Sequence, residues 1–119
     1  MLSYDLYPAE YNLLKIIWEN EPINSTELTK KCLDKLGWKK STTYTMIRKL
    51  SKKGLLKNEE ATVTALVNEE QVKKDESEQV IRESFDNSLP SFIRTFLDGK
   101  KISEKDALEI KKIIEEATK

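Results

Sequence analysis

The sequence of 119 residues contains no histidine, which removes the side chain that most often serves as general base and metal ligand. Cys32 is the single cysteine, so an intramolecular disulfide is impossible and a cysteine-based metal site has too few ligands. No pair of acidic residues lies in an apolar stretch that would tune it for catalysis. We therefore expect no enzyme, no catalytic residue and no bound metal or cofactor.

Long apolar runs are also missing. No segment approaches the roughly 20 apolar residues that span a bilayer, so we expect no direct membrane insertion. The opening stretch, MLSYDLYPAEY, has neither the basic start nor the continuous apolar core of a signal peptide. We expect a cytoplasmic protein of one domain, or of one small domain with an appendage.

Charge is balanced over the whole chain but not along it. The sequence has 21 basic and 21 acidic residues, yet ten basic residues and one acid, Asp34, lie between Leu28 and Asn58. This asymmetry indicates a basic binding patch in the first half of the chain. A solvated helix face would show the same charge, so the surrounding pattern has to decide between the two.

Apolar spacing predicts two helices before this basic region. The first runs from Pro8, which suits the first helical position, to about Glu19. The second follows a capping box at Asn24–Glu27 and ends at about Leu36. It is expected to bury Leu28, Cys32 and Leu33.

The third predicted helix runs from Ser41 to about Lys53 and ends at Gly54. A helical wheel groups Thr43, Met46, Ile47 and Leu50 on an inner side. The other residues form an outer face of hydroxyls and long cations, which suits a helix in a DNA major groove. With the two lysines before the helix, the candidate DNA-binding residues are Lys39, Lys40, Ser41, Thr42, Tyr44, Thr45, Arg48, Lys49 and Lys52.

Two short strands, 55–58 and 61–67, follow with a turn near Glu59-Glu60. Three helices followed by a hairpin is the order of a winged helix-turn-helix. We therefore predict a mainly α fold with a small β-hairpin wing, in which residues 1–67 form the DNA-binding domain and residues 68–119 a helical dimerisation region.

The helices predicted after Asn68, at Leu89-Pro90 and after Ser103 carry more apolar area than one short tail can bury. We expect two tails to pair in a homodimer, although packing against the chain's own first domain would also cover this surface. The candidate dimerisation residues are Val80, Ile81, Phe85, Leu89, Phe92, Ile93, Phe96, Leu97, Leu108 and Ile113.

These motifs, in this order, resemble the BlaI/MecI/CopY family of penicillinase-repressor-type winged-helix regulators over nearly the whole chain. The resemblance rests on three stretches: Ala9-Glu10-Tyr11 through Ile17-Trp18, the run from Trp38 to Gly54, and the later Glu76-Ser77-Glu78 with Ile102-Ser103-Glu104. It implies a homodimeric repressor that binds dyad operators in double-stranded DNA and controls β-lactam or other cell-wall antibiotic resistance genes. The family's DNA contacts would fall on Ser41, Thr42, Tyr44, Thr45 and Lys49.

The resemblance also implies release from DNA by proteolysis in the dimerisation region, triggered by a membrane sensor metalloprotease. The Asn-Phe bond that is cut in the penicillinase branch corresponds here to Thr95-Phe96, so identical cleavage is in doubt. The cysteine cluster of the copper branch is absent, which argues against copper sensing.

Two further departures concern the wing and the first helix. The wing tip carries Glu59-Glu60 instead of Gly and Arg, so wing–phosphate contacts should be weak, and Tyr7 replaces the usual Ser/Thr cap of helix 1. The alternative function is a winged-helix protein-interaction module without sequence-specific DNA binding.

Overall fold

A computed structural model describes residues 4–119. Residues 1–3, which open the stretch assessed for a signal peptide, lie outside it. The chain forms six helices and three short strands within the described part. Their bounds are α1 Pro8–Asn20, β1 Ile23–Asn24, α2 Ser25–Leu36, α3 Lys40–Lys52, β2 Leu56–Glu59, β3 Thr62–Ala65, α4 Glu69–Ser84, α5 Leu89–Leu97 and α6 Glu104–Ala117. The predicted helices are therefore confirmed, with ends within about two residues of the expected ones.

Helix α1 supplies much of the core. Leu13, Leu14, Ile16 and Ile17 are buried, which their spacing along one side of the helix predicts. Trp18 is partly buried, and its indole Nε1 donates to the backbone oxygen of Val67 at 3.0 Å. This bond ties the end of α1 to the segment between β3 and α4.

Asn24 caps the start of α2 as predicted, but it accepts from the N–H of Thr26 and not from that of Glu27, as the predicted capping box requires. Gly37 closes the helix with φ of 69°. Leu28 and Cys32 are buried, but Leu33 is 60% exposed, so its predicted burial was wrong. Thr29, one turn before Leu33, is buried, and its hydroxyl donates to the Thr26 oxygen at 2.6 Å, so its polar group is satisfied in the interior.

The wing belongs to a three-stranded antiparallel sheet of order β1-β3-β2. The hairpin turn lies at Glu60-Ala61, one residue beyond the predicted position, and β3 is shorter than predicted. Strand β1 was not predicted, because a two-residue strand shows no alternation in sequence. It pairs Ile23 with Val63, and so joins the start of α2 to the wing.

Two compact units divide within α4: one runs through Ser77 and the other spans Glu78–Lys119. In the first unit, Asn68 caps α4 through its side-chain oxygen, Val72 is buried, and Asp75 accepts from the Tyr4 N–H at 3.2 Å. None of the helices in residues 4–119 combines the length and apolar character that a bilayer crossing requires.

The unit 78–119 contains no buried residue when the chain is taken alone. Phe92 lies between Phe85 and Phe96, with ring centroids 5.3 and 5.9 Å away. Helices α5 and α6 line an apolar groove of about 490 Å³ that includes Phe92, Ile93, Phe96, Leu97, Ile102 and Ile110. This unit therefore presents a continuous apolar surface that its own helices do not cover.

Candidate nucleic-acid interface

Helix α3 separates an apolar face from a cationic one. Thr43, Ile47 and Leu50 are buried against the core, and Met46 is partly buried. Eight of the nine candidate DNA-binding residues are exposed, and Tyr44 is partly buried. The helix itself contains no acidic residue, so its outward face is purely cationic and hydroxylic.

The start of α3 carries two lysines where a helix normally prefers negative charge. Lys39 is the N-cap residue, and its ammonium offers only donors, so it cannot satisfy the N–H groups of the first turn. Lys40 adds a second cation in that turn. Lysines at the positive end of the helix dipole weaken the free helix, but they and the N–H groups together favour a bound phosphate.

The middle of the outward face is ordered by hydrogen bonds within the helix. Thr45 Oγ1 donates to the Ser41 oxygen at 2.9 Å, and Arg48 Nη2 donates to Thr45 Oγ1 at 3.3 Å. The guanidinium of Arg48 is therefore held against the first half of α3. Arg48 keeps further N–H donors that can reach an anion, because a guanidinium carries five.

Tyr44 lies on the edge of α3 that faces the start of α2. Its hydroxyl oxygen lies 3.5 Å from Ser25 Oγ. The hydrogen bonds with Ser25 and Thr26, together with the charge of Lys40, hold the pKa of the Tyr44 phenol below its ordinary value. Tyr44 thus connects the outward face to the hydroxyl-rich start of α2.

The opposite edge of α3 faces the start of α1. The ammonium of Lys49 lies 5.3 Å from the ring centroid of Tyr7, within the range of a cation–π contact. One turn later, Lys53 Nζ lies 5.4 Å from the same ring and 3.0 Å from Glu10 Oε1. The Tyr7 ring at the start of α1 therefore contacts two lysines, Lys49 of α3 and Lys53 at the end of this helix.

Glu10 is buried at this junction. Its Oε1 also accepts from the Tyr7 N–H at 2.9 Å. Burial raises the pKa of this carboxyl, but the hydrogen bonds from Tyr7 and Lys53 and the charges of Lys53 and Lys49 outweigh burial, so the pKa is lowered. Glu10 is therefore an anion inside the fold.

Sequence analysis missed this role of Glu10 and assigned no role to Lys53. The signal was present, since Glu10 lies three and four residues before Leu13 and Leu14 and so falls on the buried face of α1. A buried carboxylate needs a cationic partner, which directs attention to the basic helix. Tyr7 provides no side-chain cap, as expected, but Glu10 satisfies the Tyr7 N–H.

The wing tip is acidic and exposed. Glu59 and Glu60 both face solvent, and Lys57 Nζ lies 3.7 Å from a Glu59 carboxylate oxygen. Such an exposed pair contributes little stability. The wing therefore presents no cationic tip for a phosphate backbone.

The other predicted residues lie in α4, α5 and α6, except Phe85, which directly follows α4. Val80, Leu89, Phe96, Leu108 and Ile113 are among the exposed large apolar side chains. The Thr95-Phe96 bond lies in the last turn of α5, and the Lys100 ammonium lies 4.2 Å from the Phe96 ring centroid. Ile81, Phe85, Phe92, Ile93 and Leu97 are partly buried.

This part of the chain has three helices and a small sheet, and α3, the second helix of the helix-turn-helix, is exposed and cationic. These features define a winged helix-turn-helix protein. The chain belongs to the penicillinase repressor family, whose sequence profile matches residues 6–116. The predicted resemblance and fold class are therefore confirmed.

Similar proteins support the same assignment. The penicillinase repressor of Bacillus licheniformis is 27% identical over 112 residues, which cover 91% of this chain and 88% of the relative. The methicillin resistance regulatory protein MecI of Staphylococcus aureus (strain N315) is 22% identical over 116 residues, covering 94% of each chain. These relatives are repressors and regulatory proteins, which confirms that the chain is not an enzyme.

Among solved structures, the solution structure of the DNA-binding domain of the repressor BlaI matches with a TM-score of 0.50 and 30% identity. The match covers 57% of this chain and 88% of that one. The likeness therefore concerns the winged-helix part of the chain.

Proposed function

We propose that this chain is a homodimeric transcriptional repressor that binds dyad operators in double-stranded DNA through α3. The observation that carries the proposal is the outward face of α3, where exposed cations and hydroxyls lie on a helix that contains no acid. The family assignment and the likeness to a repressor's DNA-binding domain support the same function.

In the proposed complex, α3 enters the major groove. Ser41, Thr42 and Thr45 are short enough to approach base edges, and Thr methyl groups can meet the thymine methyl. Lys39, Lys40, Arg48, Lys49 and Lys52 would neutralise phosphates and supply much of the affinity, while Tyr44 borders the face beside α2. The acidic wing tip would contribute little.

We propose that residues 1–67 act as the DNA-binding domain and residues 68–119 as the dimerisation region. The uncovered apolar surface of α5 and α6 supports this, because contiguous exposed apolar patches mark interaction sites. A two-fold dimer would present two copies of α3 to two half-sites. Neither half-site alone would bind tightly.

The names of the relatives direct the proposal towards β-lactam or other cell-wall antibiotic resistance genes. Release by a membrane sensor metalloprotease that cuts in the dimerisation region is the step that the family resemblance adds to the proposal. The Thr95-Phe96 bond is the candidate position by its place in the chain. Incubating the repressor with membranes that contain such a sensor, with and without β-lactam, tests it. Fragments ending at Thr95 support this step, and an intact chain under both conditions contradicts it.

The experiment that tests the repressor function is a fluorescence anisotropy titration of labelled DNA from upstream of the protein's own gene. Scrambled DNA is the control, and two salt concentrations report the electrostatic share of binding. One dimer bound tightly and salt-sensitively to a dyad supports the proposal. An Arg48→Ala/Lys49→Ala variant should bind more weakly and with a flatter salt dependence, and wild-type behaviour of that variant would contradict the assigned face.

The second candidate function is a winged-helix module that binds a protein. The acidic wing tip and the balanced net charge favour it, whereas the cationic face of α3 opposes it. Equal and weak binding to operator and scrambled DNA, with the protein still folded, would favour this second function.

A further inference from the structure

An ion pair between a buried carboxylate and a partly exposed ammonium lies between α1 and the end of α3. Glu10 has no exposed surface, and its Oε1 accepts from both the Tyr7 N–H and Lys53 Nζ. Its second oxygen, Oε2, is also buried and has no hydrogen-bond partner among the described residues. The Tyr7 N–H and the Lys53 ammonium together therefore compensate the charge of Glu10 inside the fold, and Lys53 is its cationic partner.

Lys53 is held by several contacts at once. Its ammonium donates to Glu10 Oε1 at 3.0 Å and to the Asp5 backbone oxygen at 2.9 Å, and it lies against the Tyr7 ring. Moving this ammonium to a phosphate would break these contacts and leave the Glu10 carboxylate buried without its cation. Leaving a buried charge unpaired is strongly unfavourable.

The neighbouring lysine differs in its contacts. Lys52 and Lys53 are both exposed as residues, but the Lys53 side chain is 27% exposed, and its ammonium donates to Glu10 and to the Asp5 backbone. Lys52 therefore faces solvent, whereas the ammonium of the adjacent Lys53 is bound by Glu10 of α1. Charge counts from sequence treat them as equal.

Resting on the proposed function, we propose that Glu10 is a specificity-determining positioning residue that withholds Lys53 from the DNA backbone. Phosphate contacts supply essentially all of the non-specific affinity of a DNA-binding protein and carry no sequence information. By engaging Lys53, Glu10 lowers binding to arbitrary DNA while the base-facing start of α3 is left unchanged.

The test measures the slope of log K against log salt concentration for binding to scrambled and operator DNA. Each phosphate contact contributes about −0.9 to this slope on double-stranded DNA. Lys53→Met should keep the wild-type slope, whereas the matched control Lys52→Met should flatten it by about 0.9. Glu10→Gln releases Lys53, so its slope should steepen by up to about 0.9 and its affinity for scrambled DNA should rise.

The double variant Glu10→Gln/Lys53→Met identifies which residue carries the change. It should return to the wild-type slope, a rescue that a general loss of structure in Glu10→Gln would not give. A flattened slope in Lys53→Met, or a wild-type slope in Glu10→Gln, would overturn the proposal.

Thermal unfolding of the same four proteins without DNA measures the coupling between Glu10 and Lys53 independently. If Glu10 and Lys53 stabilise each other, the two single variants should together lower the unfolding temperature by more than the double variant does. If the wild type shows this coupling but no salt-sensitive DNA binding, the proposed function has failed and the withholding role fails with it. If DNA binding is salt-sensitive but the coupling is absent, only the role of Glu10 is wrong.

Discussion

Glu10 shows how one side chain can link two elements. It is fully buried on α1, yet its partner Lys53 lies at the end of α3, 43 residues later in sequence. Removing the cation would be destabilising, because the Glu10 carboxylate would stay in the interior without its partner. The packing of the end of α3 against α1 therefore depends on this pair.

The first prediction concerns pH. The pKa of Glu10 is lowered in the folded chain from an ordinary value of 4.5, because the contacts with Tyr7, Lys53 and Lys49 outweigh burial. A carboxyl with a lowered folded pKa contributes stability that is fully present above its unfolded pKa and is lost as pH falls through the folded value. Glu10→Gln should therefore lose less stability than the wild type as pH falls below 4.5.

Urea unfolding midpoints measured at several pH values check this. Glu60→Gln, the same chemical change on the exposed hairpin turn, serves as the control. Parallel acid profiles for the wild type and Glu10→Gln would contradict the prediction.

Single residues also show which burial the sequence predicted correctly and which it did not. Cys32 was predicted to be a small buried side chain, and it is fully buried; burial raises the pKa of its thiol. Leu33 was misplaced because hydrophobicity alone ranks it above Thr29. The hydroxyl–backbone bond that admits Thr29 to the interior depends on the formed helix. Apolar periodicity predicts which side of a helix is buried, but it does not predict which polar residues are buried on that side.

At the scale of elements, the start of α3 has no side-chain cap and carries two lysines, which lowers the stability of the free helix. The second prediction is that Lys39→Asp raises the free energy of unfolding by about 1 kcal/mol, because Asp is a strong N-cap and suits the helix dipole. The same change should weaken DNA binding, because it replaces a cation at the proposed phosphate site with an anion. Chemical denaturation and anisotropy titrations measure the two effects.

Lys39→Ala is the control for this prediction. It removes the cation without providing a cap, so it should weaken DNA binding with little gain in stability. An Asp variant that is no more stable than the Ala variant would show that the first turn of α3 does not need a cap.

The third prediction concerns the wing turn. Glu60 and Ala61 both have positive φ, 50° and 61°, in a two-residue hairpin turn whose geometry favours Asn-Gly. Ala61→Gly should raise the free energy of unfolding by about 1 kcal/mol, since a left-handed conformation costs L-residues this much and glycine little. Ala65→Gly, in the extended part of β3, should instead destabilise the chain.

Thermal unfolding distinguishes the two glycine variants, and because neither changes charge, any change in DNA binding would reflect the shape of the wing. Destabilisation by Ala61→Gly would contradict the assigned turn geometry.

Elements were more predictable than their pairing. Caps at Asn24, Asn68 and Ser103 marked helix starts, and alternating Thr and Val marked β3. Strand β1 escaped because its two residues gain their conformation from pairing with Val63 and Thr62, not from local preference. The candidate interface could be placed on α3 in advance, but the contacts along its edges, with Ser25 on one side and Tyr7 on the other, could not.

At the scale of the whole molecule, the order of elements was sufficient to predict a winged helix followed by a helical region. The domain division after Val67 stays a prediction, and the compact units divide ten residues later, after Ser77, because Val72 and Asp75 pack with the first unit. No residue of 78–119 is buried within its own chain, so the apolar surface of α5 and α6 is left uncovered there.

The fourth prediction follows from that exposed surface. Truncation after Thr95 removes Phe96, Leu97 and all of α6, and with them most of the lining of the α5–α6 groove. If this groove is the dimer interface, the truncated chain should sediment as a monomer at concentrations where the intact chain is a dimer. Operator affinity should fall towards that of one half-site, because the two copies of α3 are no longer linked.

A full-length chain carrying Ile113→Glu separates loss of the interface from loss of α6 itself. Ile113 is 63% exposed in the single chain, so a charge there costs the monomer little. In a dimer that buries it, the same charge should be excluded. A monomeric Ile113→Glu chain whose circular dichroism retains the helical content of the wild type would place the interface on this groove. An undiminished dimer in both variants would instead place it elsewhere on the chain, and the apolar surface of α5 and α6 would then need a different partner.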